Sequence, residues 1–165
     1  MAALTAGTKA PEFELKTTEG KRFSLREELP KGPVVLAFFK GSCPVCQYAF
    51  PFLERLHKTY GQKGVTLVGV SQNDLKETLA FNKEFGVTFP VLLDPQENYP
   101  LSNAYGLTNV PTVFWIGQDG EIEVSSVGWV KADFEKVGHK MAEARNIPLV
   151  SVFKPGEEVR DFRAG

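Results

Sequence analysis

The chain has 165 residues, a net charge of −1 and 42% hydrophobic residues. These values predict one domain with a real core, and no apolar run approaches the roughly 18–20 residues that a transmembrane helix needs. Because no such run is present, membrane insertion is not expected, and because the 19 Lys and Arg residues are scattered, neither nucleic-acid binding nor membrane-surface binding is expected. The first seven residues lack the features of a secretory signal, so we expect a cytoplasmic location, although an exported chain that had lost its leader would look the same.

The first predicted elements are a hairpin and a buried strand. Residues 12–17 and 21–25 each alternate polar and apolar side chains, and Glu19 and Gly20 provide a turn between them. The unbroken apolar run Val34–Phe39 is typical of a strand buried on both faces of a parallel sheet.

The only two cysteines, Cys43 and Cys46, follow this strand at the start of a predicted helix that runs toward Tyr60. Pro44 suits the first helical turn, because its missing N–H would be unpaired there in any case. Free backbone N–H groups and the helix dipole favour a thiolate at this end. Positions i and i+3 are close enough for a disulfide. The pattern predicts reversible dithiol–disulfide exchange.

Other roles for the pair are less favoured. A zinc site needs two further ligands, and only His57 and His139 remain. An iron–sulfur cluster needs four cysteines. We therefore expect no metal and no cofactor. Inert structural cysteines are the remaining alternative, which the proline-containing motif after a buried strand disfavours.

The middle of the chain is predicted to continue a β-α-β unit. Pro51 is expected to kink the motif helix. Residues 65–70 form the next strand, reached by a right-handed crossover. Residues 74–85 form a helix with a capping box at Asp74 and Glu77. Its predicted apolar face consists of Leu75, Leu79 and Phe85.

The last part of the chain is predicted to hold a short strand, a short helix, a hairpin and a final helix. In chain order these are residues 90–93, residues 98–105, Thr112–Ile116, Ile122–Val127, and a helix with an apolar stripe of Phe134, Val137, Met141 and Ala144. We therefore assign residues 1–148 to the domain and residues 149–165 to an irregular C-terminal tail.

A β-α-β unit followed by β-β-α, with cysteines at the first helix, resembles the thioredoxin arrangement. The chain resembles thioredoxin-like redoxins, the branch with TlpA-like thiol–disulfide oxidoreductases and alkyl hydroperoxide reductase/thiol-specific antioxidant proteins. The resemblance implies an α/β thioredoxin fold with an N-terminal β-hairpin extension and a central mixed sheet flanked by helices. The matching stretches are residues 7–13 (GTKAPEF), 38–46 (FFKGSCPVC), 89–94 (FPVLLD) and 105–112 (YGLTNVPT).

The resemblance also implies a substrate-binding surface around the cysteines. It implies a cis peptide bond between Val110 and Pro111, in a loop whose backbone would bind an extended substrate segment. Gly128 would belong to a third loop around the site, and Pro44 lies between the cysteines. The plainer alternatives are that Pro111 only opens the following strand and that Gly128 is an ordinary turn glycine.

Three positions depart from the family pattern. Ala37 stands where thioredoxins carry a buried acid, and Ala49 where TlpA-like proteins often carry a glutamate. Neither position therefore offers a carboxylate to take the proton of Cys46. Ser42 replaces the thioredoxin tryptophan before the first cysteine.

These features predict a thiol–disulfide oxidoreductase in which Cys43 attacks and Cys46 resolves the mixed disulfide. Its partners would be a protein carrying a disulfide or dithiol and an external thiol reductant. The alternative is an antioxidant thiol peroxidase of the peroxiredoxin kind with Cys46 as the peroxidatic residue; Cys43 would then replace the threonine of that family. A redox-inert interaction module is a third, less favoured possibility, because both cysteines are present.

The tail carries a weak echo of the N-terminal segment. Residues 156–162 loosely repeat residues 7–13, each beginning with glycine and ending with an acid and phenylalanine. Chance is one explanation. The other is a tail ordered against the domain, with Phe162 filling an apolar notch on its own domain or on a neighbouring molecule.

Overall fold

The computed structural model describes residues 2–61 and 64–165. Its central feature is a five-stranded mixed sheet of order β5-β4-β3-β6-β7, with the strand ranges given below. Strands β3, β4 and β5 are parallel to one another, β6 is antiparallel to β3, and β7 is antiparallel to β6. The strands are β1 (Glu14–Lys16), β2 (Arg22–Ser24), β3 (Val34–Phe39), β4 (Thr66–Ser71), β5 (Val91–Leu93), β6 (Thr112–Ile116), β7 (Ile122–Val127), β8 (Trp129–Val130) and β9 (Phe162–Arg163). The helices are α1 (Leu25–Glu28), α2 (Pro44–Tyr60), α3 (Leu75–Phe85), α4 (Pro100–Ala104) and α5 (Lys131–Ala144), with a short 3-10 turn at Leu29–Lys31.

Strand β3 is the centre of the core, and all six of its residues are buried. Its side chains alternate between two apolar clusters, as the pleat of a strand requires. Phe39 belongs to the cluster under α2, α3 and α5, whereas Phe38 belongs to the cluster under the N-terminal segment and α4. The sheet thus lies between two layers, in agreement with the predicted fold class.

The N-terminal hairpin is confirmed as the antiparallel pair β1–β2. It ends one residue early, because Leu25 begins α1 and is buried rather than continuing the strand. Helix α2 has the predicted extent and contains Pro51; the kink expected there stays a prediction. None of the described helices is both long enough and apolar enough to cross a membrane.

The predicted apolar face of α3 is confirmed for Phe85, which packs against the core cluster, but it is wrong for Leu75 and Leu79. Leu75 and Leu79 are 44% and 49% exposed, and the buried positions are Thr78 and Phe81. The Thr78 hydroxyl is 2.7 Å from that of Ser71, which satisfies its polarity inside the protein. In α5, similarly, Ala142 is buried and the predicted Ala144 is exposed.

The tail of residues 149–165 lies against α2 and α5. Phe153 packs on Phe52, with their ring centroids 5.4 Å apart. Near its end the tail forms β9, which pairs with β8. The expected insertion of Phe162 into a notch of its own domain is wrong, because this side chain is 61% exposed.

Candidate active site

The loop between β3 and α2 presents the two cysteines at one edge of the sheet. The Cys43 N–H donates to the Lys40 carbonyl at 3.1 Å, which closes the turn. The Gly41 N–H donates to Asn73 Oδ1 at 2.6 Å, and Gln47 Nε2 donates to the Gly41 carbonyl at 2.9 Å. These bonds tie the loop both to the next strand–helix connection and to α2 itself.

Cys43 is the N-cap of α2 and is partly exposed. Its Sγ accepts a hydrogen bond from the Cys46 N–H at 3.4 Å, and it also lies 3.4 Å from the Val110 carbonyl oxygen, to which the thiol donates. The sulfur therefore lies at the N-terminal end of the α2 dipole and in contact with the loop that carries Val110.

Cys46 occupies a different environment one turn into α2. It is fully buried, and both cysteines are free thiols. Burial raises the pKa of the Cys46 thiol, and hydrogen bonding from the Lys40 backbone only partly offsets this effect. The positions that the family fills with acids, Ala37 and Ala49, are buried in the same apolar cluster.

The loop facing Cys43 has the predicted cis peptide bond between Val110 and Pro111. The Pro111 carbonyl accepts a hydrogen bond from the Gly128 N–H at 2.8 Å. The structure thus brings Cys43, Val110, Pro111 and Gly128 together at one edge. Pro44 is exposed beside them, in the first turn of α2.

The sequence did not show that Tyr48 and the tail belong to this edge. Tyr48 packs edge-on against Trp129 at 5.1 Å, and its hydroxyl accepts a hydrogen bond from the Arg160 N–H at 3.0 Å. Trp129 itself is fully buried and belongs to the core. The sequence predicted a tail ordered against the domain, but not the contact between Tyr48 and Arg160, because these residues lie 112 positions apart in the chain.

In residues 2–61 and 64–165 no cluster of three or more His, Cys, Asp or Glu side chains could hold a metal ion. The chemistry that the described site offers is that of its two thiols, because Cys43 is accessible and Cys46 lies one helical turn away.

Comparison with curated proteins finds similar thiol–disulfide oxidoreductases. The ResA protein of Geobacillus thermodenitrificans is 33% identical over 122 residues, which covers 73% of this chain and 68% of that protein. The ResA protein of Bacillus subtilis is 31% identical over 156 residues, which covers 94% of this chain and 79% of that protein.

Solved structures share the fold. A thioredoxin-family thiol:disulfide interchange protein from Chlorobium tepidum is 30% identical, with a TM-score of 0.68 and coverage of 86% of this chain and 99% of that one. The thioredoxin domain of a Bacteroides vulgatus thiol–disulfide oxidoreductase superposes with a TM-score of 0.73 at 19% identity, covering 84% and 98% of the two chains. The model of the AhpC/TSA family matches residues 6–125. On this evidence the chain belongs to the AhpC/TSA family and is a thioredoxin-like redoxin.

Proposed function

We propose that this thiol–disulfide oxidoreductase works through the pair Cys43 and Cys46, with Cys43 as the nucleophile and Cys46 as the resolving thiol. The observation that carries the proposal is the contrast between the two sulfurs. Cys43 is partly exposed and accepts an amide hydrogen bond, whereas Cys46 is fully buried and its pKa is raised by burial. The thiolate is the attacking species, so the accessible, amide-bonded sulfur acts first.

In the reductive direction the Cys43 thiolate attacks one sulfur of a substrate disulfide. The substrate S–S bond breaks, a mixed disulfide with Cys43 forms, and the departing substrate thiolate takes a proton. Cys46, once deprotonated, attacks Cys43 Sγ, so that the second substrate thiol leaves and the Cys43–Cys46 disulfide remains. The substrate gains two electrons and the protein loses two, which an external thiol reductant restores.

The proposed substrate is a protein that carries a disulfide or, in the reverse direction, a dithiol. The Val110 carbonyl lies 3.4 Å from the Cys43 sulfur, so a polypeptide lying along Val110 would bring its own sulfur to Cys43. Extended segments bind such exposed backbone edges by main-chain hydrogen bonds. Val110, Pro111 and Gly128 would form this docking edge, next to Pro44.

A peroxidase mechanism at Cys46 has less support. It requires a reactive thiolate that hydroperoxide can reach, but Cys46 is fully buried and burial raises its pKa. The exposure of Cys43 and the burial of Cys46 therefore favour disulfide exchange.

The assignment of roles is tested by trapping. The Cys46→Ser variant, incubated with a disulfide-bearing protein such as insulin, is expected to accumulate a mixed disulfide through Cys43 on non-reducing gels. The matched Cys43→Ser variant is expected to accumulate almost none. Preferential trapping through Cys46 would reverse the assignment.

The activity itself is tested by measuring insulin reduction and hydroperoxide consumption side by side with one thiol donor. We expect insulin reduction to dominate. Hydroperoxide turnover that exceeds insulin reduction and survives Cys43→Ser would establish the peroxidase alternative instead.

A further inference from the structure

The last five residues of the chain lie across the edge at which the proposed substrate would dock. In the β8–β9 pair, Arg163 lies opposite Trp129 and Phe162 opposite Val130. The Lys131 N–H donates to the Asp161 carbonyl at 2.9 Å, which starts this pairing. Residues 161–165, which include strand β9, thus form an added segment beside the active site.

The added segment reaches the residues around Cys43. A Cβ placed on Gly165 would overlap the Val110 carbonyl oxygen, and Asn109 Nδ2 donates to the Gly165 carbonyl at 3.2 Å. A Cβ placed on Gly128 would lie 2.7 Å from the Arg163 carbonyl oxygen. The tail backbone therefore fills the space in front of Val110 and Gly128 so closely that a second chain cannot lie there.

The two ends of the tail are held differently. Upstream, Arg55 binds Glu157 through two hydrogen bonds of 2.8 Å and the Val152 carbonyl through one of 2.9 Å. Residues 161–165 instead make main-chain contacts and one side-chain contact, that of the Arg163 guanidinium 5.0 Å from the Tyr48 ring centre. The side chains of Asp161, Phe162 and Ala164 are exposed. The covering segment has a short strand of two residues and a firm upstream anchor.

From this geometry we propose that residues 161–165 are a tethered competitor for the docking edge, and that the ligand of this edge is an extended polypeptide segment. The proposal rests on the proposed function and deepens it by naming what the edge recognises. Main-chain pairing is independent of side chains, so a substrate backbone can replace the tail backbone. The tether keeps the tail at high effective concentration, which lowers the apparent affinity for substrate.

The test compares the full chain with a variant that ends after Arg160, using two disulfide substrates. Insulin would dock through its own polypeptide backbone, whereas bis(hydroxyethyl) disulfide has no backbone that could pair with the edge. We expect kcat/KM for insulin to rise about three- to tenfold in the shortened protein as the competitor is removed. We expect the small disulfide to change less than about twofold, because it needs no main-chain docking.

Two further variants keep the test independent of chain length. Gly165→Val places a side chain against the Val110 carbonyl and is expected to expel the end of the tail, again accelerating insulin reduction selectively. Phe162→Ala is the matched control, since its exposed ring can be removed while the main-chain pairing remains. This control is expected to match the full chain with both substrates.

Each other outcome is decisive. An unchanged or reduced rate with insulin in both the shortened and the Gly165→Val proteins would refute competition, and an equal gain with both substrates would mean that the tail merely shields the sulfur. If the full chain reduces neither substrate, the proposed function is wrong. Labelling of Cys43 by a peptide iodoacetamide, which requires no exchange, then tests the tail separately: faster labelling of the shortened protein supports competition, and equal labelling refutes it.

Discussion

Helices α2 and α3 begin alike but are covered differently. Each starts with an N-cap side chain that accepts a hydrogen bond from the N–H three residues on: Cys43 from Cys46, and Asp74 from Glu77. Each also carries apolar residues on more than one side. The cap that serves only structure is a carboxylate, and the cap that serves chemistry is a thiol.

The C-terminal tail accounts for the difference in burial between the two helices. It packs Phe153 against Phe52 of α2, whereas no described segment buries Leu75 or Leu79 of α3. An apolar residue on a helix is therefore not by itself evidence of burial, because a distant segment decides which side is covered. The following predictions sharpen this comparison.

Replacing the two caps separates chemistry from stability. We expect Cys43→Ser to lose disulfide-exchange activity by at least about a thousandfold, because the nucleophile is removed. Its free energy of unfolding is expected to change by less than about 0.5 kcal/mol, since serine is a favoured N-cap. Exchange assays and urea unfolding measure the two effects.

The corresponding change in α3 has the opposite profile. Asp74→Ala is expected to lose about 1 kcal/mol of unfolding free energy because the Glu77 N–H loses its acceptor, while most exchange activity remains. A large stability loss in Cys43→Ser, or a loss of activity in a folded Asp74→Ala protein, would contradict the comparison.

Truncating the covered face of α2 tests the packing of the tail. Phe52 is 6% exposed and lies 4.9 Å from the Trp129 ring centre as well as against Phe153. We expect Phe52→Ala to cost about 3–5 kcal/mol in unfolding free energy, because it leaves a cavity shared by helix, core and tail. A loss below about 1 kcal/mol in urea unfolding would show that the tail contributes little cover.

The ion pair between α2 and the tail predicts a pH dependence. Arg55 and the Lys154 backbone lower the pKa of Glu157 from its usual 4.5 to about 2. A lowered folded-state pKa stabilises the protein above the unfolded value, and this contribution is lost as the pH falls from 4.5 toward 2. Glu157→Gln should therefore be less stable than the parent at neutral pH, and the difference should shrink on acidification.

Thermal unfolding of both proteins between pH 7 and pH 3 measures this difference. Lys21, which pairs with Glu19 in a fully exposed hairpin turn, offers the matched control, and Lys21→Gln is expected to change little at any pH. A Glu157→Gln effect that stays constant across this range would rule out the carboxylate as its source.

The smallest effect is expected on the uncovered face of α3. Leu79→Ser should change the free energy of unfolding by less than about 0.5 kcal/mol, because the side chain is already half exposed. A loss of 2 kcal/mol or more in urea unfolding would mean that another surface covers Leu79 in solution.

The sequence by itself determined the elements that depend on neighbouring residues. The buried strand β3 follows from an unbroken apolar run, and the start of α2 at Cys43 and Pro44 follows from local capping and backbone preferences. The cysteine pair was identified in the same way, because its spacing, its proline and its position after a strand are all local. The cis bond before Pro111 came from the family resemblance, and the structure agrees.

Only the tertiary structure decided which distant segment buries each helix face and the active-site edge. The bond between Arg55 and Glu157 joins residues 102 positions apart, and no local pattern encodes such a contact. The exposure of Leu75 and the position of Gly165 beside Val110 are of the same kind. Helical periodicity shows that a face is apolar, but burial depends on which distant segment packs there, and main-chain pairing leaves no side-chain signature in the sequence.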